Sequence, residues 1–150
     1  ITLRNGNFND KKYIKTYAEK LLIVKEKQIT PFHFHWSKME DIINRGGGNL
    51  IIQVYNSTED EEMDRESPVK IMSDGCEYEV AAGSLIKLMP GESISIQPRM
   101  YHKFWGEEGK GTILVGEVSK VNDDRVDNRF YEPTGIFPEI VYCPRDTCQC

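Results

Sequence analysis

The chain has 150 residues, 29% of them charged and 39% hydrophobic, with a net charge of −5. That makeup fits one globular domain over 1–150 with its own core. The acidic balance carries no basic stripe, so nucleic acid is not an expected partner, and no apolar run reaches membrane-spanning length. The sequence opens at Ile1 rather than Met, with no signal-peptide pattern after it. Whether a native N-terminus lies upstream is left open by the sequence, and the cytoplasm is the expected location.

In chain order, residues 10–17 give the one helix the pattern suggests, and it is weakly patterned. After it the chain reads as strand upon strand. Lys-Leu-Leu-Ile-Val at 20–24 is the first, 28–36 the next, and 40–44 is short and extended. Gly46-Gly47-Gly48 reads as a tight turn, since only glycine takes positive φ freely. Residues 49–55 are rich in strand formers. Ser73-Asp74-Gly75 between 69–72 and 76–80 is a hairpin signal. Ala82-Gly83 turns into 84–88, and Pro90-Gly91 into 93–97, where Ile94 and Ile96 alternate with serines. Segments 101–105 and 112–118 complete the series. Many short strands at near-regular spacing predict an all-β sandwich or barrel with at most one or two short helices. The acidic run at 57–67 reads as a solvated loop.

All three histidines of the chain fall in one pattern: His33-Phe34-His35, then Glu40, then His102 after a long gap. In a strand, side chains i and i+2 share a face, so His33 and His35 project together while Phe32, Phe34 and Trp36 point away. Two imidazoles on one face of an apolar strand would cost desolvation without an evident partner. With a carboxylate and a third imidazole they form instead a mixed N/O set for a divalent transition metal, with coordination positions left for substrate.

Of four cysteines, Cys143, Cys148 and Cys150 crowd the C-terminus. They show neither C-x-x-C spacing nor a paired histidine, so reduced thiols on a frayed tail are expected ahead of a disulfide or zinc clip.

The spacing His33-x-His35-x4-Glu40-x6-Gly47 resembles the first cupin motif. Pro98-Arg99-Met100-Tyr101-His102 resembles the second, with Met100 where that motif usually has glycine. Three longer stretches are similar to the D-lyxose isomerase family: Thr30 through Trp36, Glu40 through Leu50, and Leu114 through Asp124. Pro90-Gly91-Glu92-Ser93-Ile94 and Tyr101-His102-x-Phe104-Trp105 fit it too. The resemblance covers about 2–130, and the tail beyond it does not match closely. Bacterial members often have an extra N-terminal helical part that these residues do not include. The resemblance implies a cupin double-stranded β-helix (a jelly-roll barrel), bound manganese, a homodimer, and interconversion of D-lyxose with D-xylulose and of D-mannose with D-fructose.

For that reaction His33, His35, Glu40 and His102 are the expected ligands of Mn²⁺, although these ligand types would also accept other divalent transition metals. Glu117 stands in the apolar run Val115-Gly116-Glu117-Val118. It is the expected base, its carboxylate turned into the barrel and its proton affinity raised by burial. Lys38 lies between His35 and Glu40 and could stabilise an oxyanion or shuttle a proton. Asp127 follows the polar run Asn122-Asp123-Asp124 and could bind a sugar hydroxyl, relay protons or cap a loop. An Fe²⁺-dependent cupin dioxygenase with the same ligands, and a non-catalytic sugar-binding cupin, are the alternatives.

Overall fold

The computed structural model describes residues 1–10 and 12–132. The expectation for Cys143, Cys148 and Cys150 lies outside them, and Cys76 is exposed, with no disulfide partner among the described residues. The strands are β1 (Thr2–Arg4), β2 (Tyr17–Val24), β3 (His33–Phe34), β4 (Glu40–Gly47), β5 (Leu50–Ser57), β6 (Met63–Asp64) and β7 (Val69–Ser73). They continue as β8 (Cys76–Val80), β9 (Leu85–Leu88), β10 (Ser93–Ile96), β11 (Tyr101–Gly106), β12 (Ile113–Lys120) and β13 (Arg129–Phe130).

The pairing is nested. β5 pairs with β9, β4 with β10, β3 with β11 and β2 with β12, all antiparallel. The chain thus runs as one long hairpin whose two arms roll up together, which is the jelly-roll solution to the edge-strand problem. One sheet has the order β1-β2-β12-β4-β10-β7-β8, and the second runs β13-β3-β11-β5-β6 with β9 also on β5. Alternation drives the packing. In β5, Leu50, Ile52 and Val54 are fully buried while their neighbours are partly exposed, and Ile94 and Ile96 of β10 point into the same core. Ile42, Ile71, Leu88, Phe104, Ile113 and Val115 complete the interior. A smaller cluster of Phe34, Met63 and Tyr101 lies on the outer side of β3, where the period-two pattern sends Phe34.

Four expectations need correction. The 10–17 helix is absent, and no helix occurs among the described residues. Asp10 Oδ1 accepts the Lys12 amide at 2.9 Å, a local bond that competes with helix formation, and Tyr17 already belongs to β2. The 28–36 strand shrinks to His33–Phe34, because Pro31 has no N–H to give a ladder. The triple glycine is not itself the turn. β4 runs through Gly46 and Gly47 with an irregular register against β12, and the chain reverses at Gly48-Asn49. A Cβ on Gly47 (φ 94°) would stand 2.1 Å from the Thr112 carbonyl oxygen, so this close approach requires glycine. The acidic run 57–67 contains β6, with Met63 buried. The Asp74-Gly75 hairpin forms as expected, with φ of 48° and 79° in a two-residue loop between Ser73 and Cys76, as a type I′ turn requires.

Candidate functional site

The nested hairpin brings the histidines together. His102 of β11 is the direct register partner of His33 in β3. His35 lies just beyond β3, where its carbonyl accepts the Arg99 amide at 2.8 Å and so ties it to the turn before β11. That turn takes its positive φ at Arg99 (63°) rather than at Met100. Pro98 precedes Arg99, and the Met100 amide donates to the Gln97 carbonyl at 3.2 Å. This is the pattern of a type II turn, so a methionine is accommodated where glycine is usual. Glu40 opens β4, opposite Ile96 of β10 and Ser119 of β12.

One ligand atom from each of His33, His35, Glu40 and His102 lies within 4.8 Å of all the others. His35, Glu40 and His102 are 4%, 3% and 0% exposed. Each imidazole Nδ1 donates to a backbone carbonyl: His33 to Pro31 at 2.9 Å, His35 to Asp127 at 2.9 Å, and His102 to Met100 at 3.0 Å. A carbonyl can only accept, so the proton of each neutral ring sits on Nδ1 and each Nε2 presents a lone pair. His35 Nε2 and His102 Nε2 are buried without a hydrogen-bond partner. They face Glu40 Oε1 at 3.4 and 3.0 Å, lone pairs against a carboxylate. A cation among them satisfies every one of these acceptors, and the donor set fits a divalent transition metal. Burial and then the neighbouring His102 push the His33 pKa down to about 3, which keeps the ring in its ligating form. Burial would raise the Glu40 pKa, but a proton taken up at Nε2 of His102 or His35 in the absence of a metal is donated to Glu40, and with the Lys38 ammonium this holds its carboxyl well below the usual carboxylate range.

Lys38, Glu117 and two residues that sequence reasoning did not single out, Lys20 and Asp124, extend this centre. Lys38 is 2% exposed. Its Nζ lies 2.7 Å from Glu40 Oε2, 3.2 Å from Glu117 Oε1 and 3.7 Å from Asp124 Oδ1. Burial would lower the Lys38 pKa, yet Glu40 and Glu117 hold it above its ordinary value. Glu117 stands in β12 directly across from Lys20 of β2. It points inward with Ile113 and Val115, as the strand period demands. Lys20 Nζ joins Glu117 Oε1 at 3.0 Å to Asp124 Oδ2 at 2.9 Å. Glu117 is therefore not a carboxylate in a purely apolar wall, as its sequence surroundings suggest, but one held by two ammonium groups. Lys20, at the start of the apolar run Leu21–Val24, gave no signal of this role in the sequence; only the register of β2 against β12 sets it opposite Glu117.

These groups line a cavity of about 210 Å³. His33, His35, Glu40, Lys38 and Glu117 form its polar side, and Leu22, Ile42, Phe104 and Phe130 its apolar side. Asp127 is 7% exposed and stands behind the ligands. Its carboxylate accepts the Ser37 amide and hydroxyl at 2.9 and 3.1 Å and the Asn122 side chain at 3.1 Å, while its carbonyl orients His35. Among the aromatics beside the ligands, Phe104 reaches the cavity, Tyr101 belongs to the core, and Trp36 lies at the surface with its indole on Glu61. Asn44 organises the glycine turn, bonding the Gly48 and Leu88 carbonyls at 2.9 Å each. Arg45 packs across Gly116.

Residues 1–143 match the model of the D-lyxose isomerase family, beyond the stretch in which the sequence motifs are recognisable. The D-lyxose/D-mannose isomerase of Serratia proteamaculans is 55% identical over 140 residues, covering 93% of this chain and 61% of that protein. Its namesake in Escherichia coli O157:H7 is 52% identical over 133 residues, covering 89% and 58%. The chain thus spans about three-fifths of the length of the curated relatives it matches. Among solved structures, L-ribose isomerase of Cellulomonas parahominis in its L-psicose complex aligns with a TM-score of 0.61 at 17% identity, covering 89% of this chain and 68% of that one. A cupin 2 domain-containing protein of Halorhodospira halophila aligns at 0.55 and 10% identity, covering 83% and 64%. At such identities the likeness shows the cupin fold alone. The family match over residues 1–143 and the two relatives above 50% identity place this chain in the D-lyxose isomerase family.

Proposed function

We propose that this chain carries the metal-dependent centre of an aldose–ketose isomerase that interconverts D-lyxose with D-xylulose and D-mannose with D-fructose. The observation that carries this reading is the convergence of three imidazoles and Glu40 in one group, of which His33, His35 and Glu40 line the same cavity as a second buried carboxylate, Glu117. The sugar class is supported by the relatives named D-lyxose/D-mannose isomerase. His33, His35, Glu40 and His102 would hold Mn²⁺, an ion that accepts mixed nitrogen and oxygen ligands. Once bound, it would supply Lewis acidity to the oxygens on C1 and C2 of the open-chain sugar.

The chain's own residues handle the protons. Glu117 takes the proton from C2 of the aldose, the electrons of that C–H bond forming the C1–C2 double bond, and returns it to C1. A second proton passes from O2 to O1, so the reaction is balanced without any co-reactant. Lys38 sits where its ammonium offsets both Glu40 and Glu117 and steadies negative charge developing on the sugar oxygens. Leu22, Ile42 and Phe104 keep the apolar side of the cavity dry. One cupin domain, a homodimer and a cytoplasmic location complete the proposal.

The test is an aldose-to-ketose assay on EDTA-stripped protein with Mn²⁺ added back. Metal-dependent formation of D-xylulose from D-lyxose, with D-fructose from D-mannose, is the expected result. Stoichiometric Mn²⁺ binding without turnover of either sugar overturns the reading.

A further inference from the structure

Glu61 lies outside the cavity, in the acidic loop between β5 and β6, with φ of 65°. A glycine or asparagine is at ease in that left-handed region, whereas a glutamate is strained. Such a local conflict marks a side chain with a task elsewhere. Glu61 Oε1 accepts the Trp36 indole N–H at 2.7 Å and lies 3.8 Å from the Arg99 guanidinium. Its Oε2 lies 3.4 Å from Arg129 Nε, and its carbonyl accepts the Tyr101 hydroxyl at 2.7 Å. Trp36 directly follows the ligand His35, and Tyr101 directly precedes the ligand His102. Arg129 directly precedes Phe130, whose ring lines the cavity 5.6 Å from the His33 ring.

Besides the ion pair of Glu61 with Arg129, the segment around Phe130 is held by few contacts, chief among them the ring of the next residue, Tyr131, edge-on to Tyr101 at 5.6 Å. β13 is a strand of two residues, and among the described residues it pairs only with β3. One further backbone bond, from the Tyr131 amide to the Phe32 carbonyl at 2.9 Å, follows it. So short an edge strand opens readily unless side chains hold it.

We infer that Glu61 is a positioning residue: its pairing with Arg129 holds β13 against β3 and so fixes Phe130 as one wall of the cavity. The clamp stands on contacts alone, while Phe130 as a wall of the sugar site rests on the isomerase reading.

Hydrogen exchange read by mass spectrometry on peptides spanning 127–132 tests the clamp in the full chain without any turnover. Arg129→Ala should speed exchange there roughly two- to fivefold, the scale of a half-exposed ion pair. Glu61→Ala loses the Trp36 and Arg99 contacts as well and should reach about tenfold. The double variant should go no further than Glu61→Ala, and peptides of β4 and β12 should exchange as in the parent. Glu61→Gly separates backbone from side chain. A loop that mattered only for its own structure would gain from relief of the left-handed strain, whereas a lost clamp loosens β13 as Glu61→Ala does. Parent-like exchange of β13 in both Glu61 variants, or a full additional effect of Arg129→Ala on top of Glu61→Ala, overturns the inference.

If the parent isomerises sugar, Glu61→Ala and Phe130→Ala should both raise KM more than they lower kcat, with Mn²⁺ stoichiometry unchanged. Unchanged KM in both removes Phe130 as a wall. An inactive parent instead breaks the isomerase reading, and the exchange result still decides the clamp.

Discussion

His102 Nε2 faces Glu40 Oε1 across 3.0 Å, while the proton of the His102 ring is committed on its other nitrogen to the Met100 carbonyl. Two acceptors at that separation call for a cation between them. Mn²⁺ at about a hundred times its dissociation constant stabilises a folded binder by about 2.7 kcal/mol. For a chain of this size that is a Tm rise of roughly 5–10 °C. Thermal unfolding with and without Mn²⁺ should show the rise in the parent protein and lose it in His102→Ala. An equal rise in both would mean that the four residues are not the ligand set.

Lys38 keeps two buried carboxylates together, and its removal leaves Glu40 and Glu117 with one counter-charge fewer. Lys38→Met should destabilise the metal-free protein by about 3–5 kcal/mol, as for a broken buried ion pair. Added Mn²⁺ should recover part of that by neutralising Glu40. Urea unfolding measures both, and a loss below about 1 kcal/mol would show that the ammonium is not what holds the pair.

Glu117 lies outside the four-ligand group yet lines the same cavity. Glu117→Gln should lower kcat by about 10²- to 10⁴-fold, the usual contribution of a positioned base, with Mn²⁺ affinity unchanged. Loss of metal binding in this variant would instead make Glu117 a ligand.

Most of the barrel could be read because its strands obey a period of two. Ile94 and Ile96 alternate with serines, and both are buried. The same period put His33 and His35 on one side and Phe34 on the other, and it turned Glu117 inward. What the sequence hid is what depends on register between distant strands. Lys20 is unremarkable until β2 lies against β12 and brings it opposite Glu117. Lys38 appeared as ready for solvent as for catalysis, and only the folding of three carboxylates around it buries it. The acidic loop carried no apolar signal beyond Met63, so its tie to Arg129 through Glu61 was invisible. The 10–17 helix failed for the opposite reason: a weak local preference was overridden when Tyr17 joined the long pairing with β12.

The ion pair of Lys20 and Asp124 predicts a pH dependence on both flanks. Burial alone would lower the Lys20 pKa, but Glu117 and Asp124 outweigh it and hold it above its ordinary value. Burial would raise Asp124, yet its bond to Lys20 and the nearby Lys38 hold it below the ordinary value. A lysine raised in the folded state contributes stability that is whole below its unfolded pKa of about 10.4 and fades as pH climbs through the folded value. A depressed aspartate contributes above about pH 3.9 and loses it as pH falls through its folded value. Lys20→Met should therefore flatten the alkaline limb of stability against pH. Denaturation midpoints between neutral and strongly alkaline pH measure this, and limbs parallel to those of the parent protein would remove Lys20 as their source.

Asp127 offers a choice between proton relay and scaffold. Its two carboxylate oxygens are engaged by Ser37 and Asn122, and its contact with His35 is through the backbone carbonyl, which any substitution retains. A scaffold needs acceptors at that position, whereas a relay needs an ionisable group. Asp127→Asn keeps one acceptor oxygen, so it should retain most of the activity and stability. Asp127→Ala, which strands the buried Ser37 amide, should cost about 1–3 kcal/mol and loosen the metal site by roughly 10- to 100-fold, as loss of an outer support does. Steady-state kinetics and Mn²⁺ titration of the two variants separate the roles. Equal loss of kcat in Asn and Ala, with metal affinity intact in both, would make Asp127 a proton carrier.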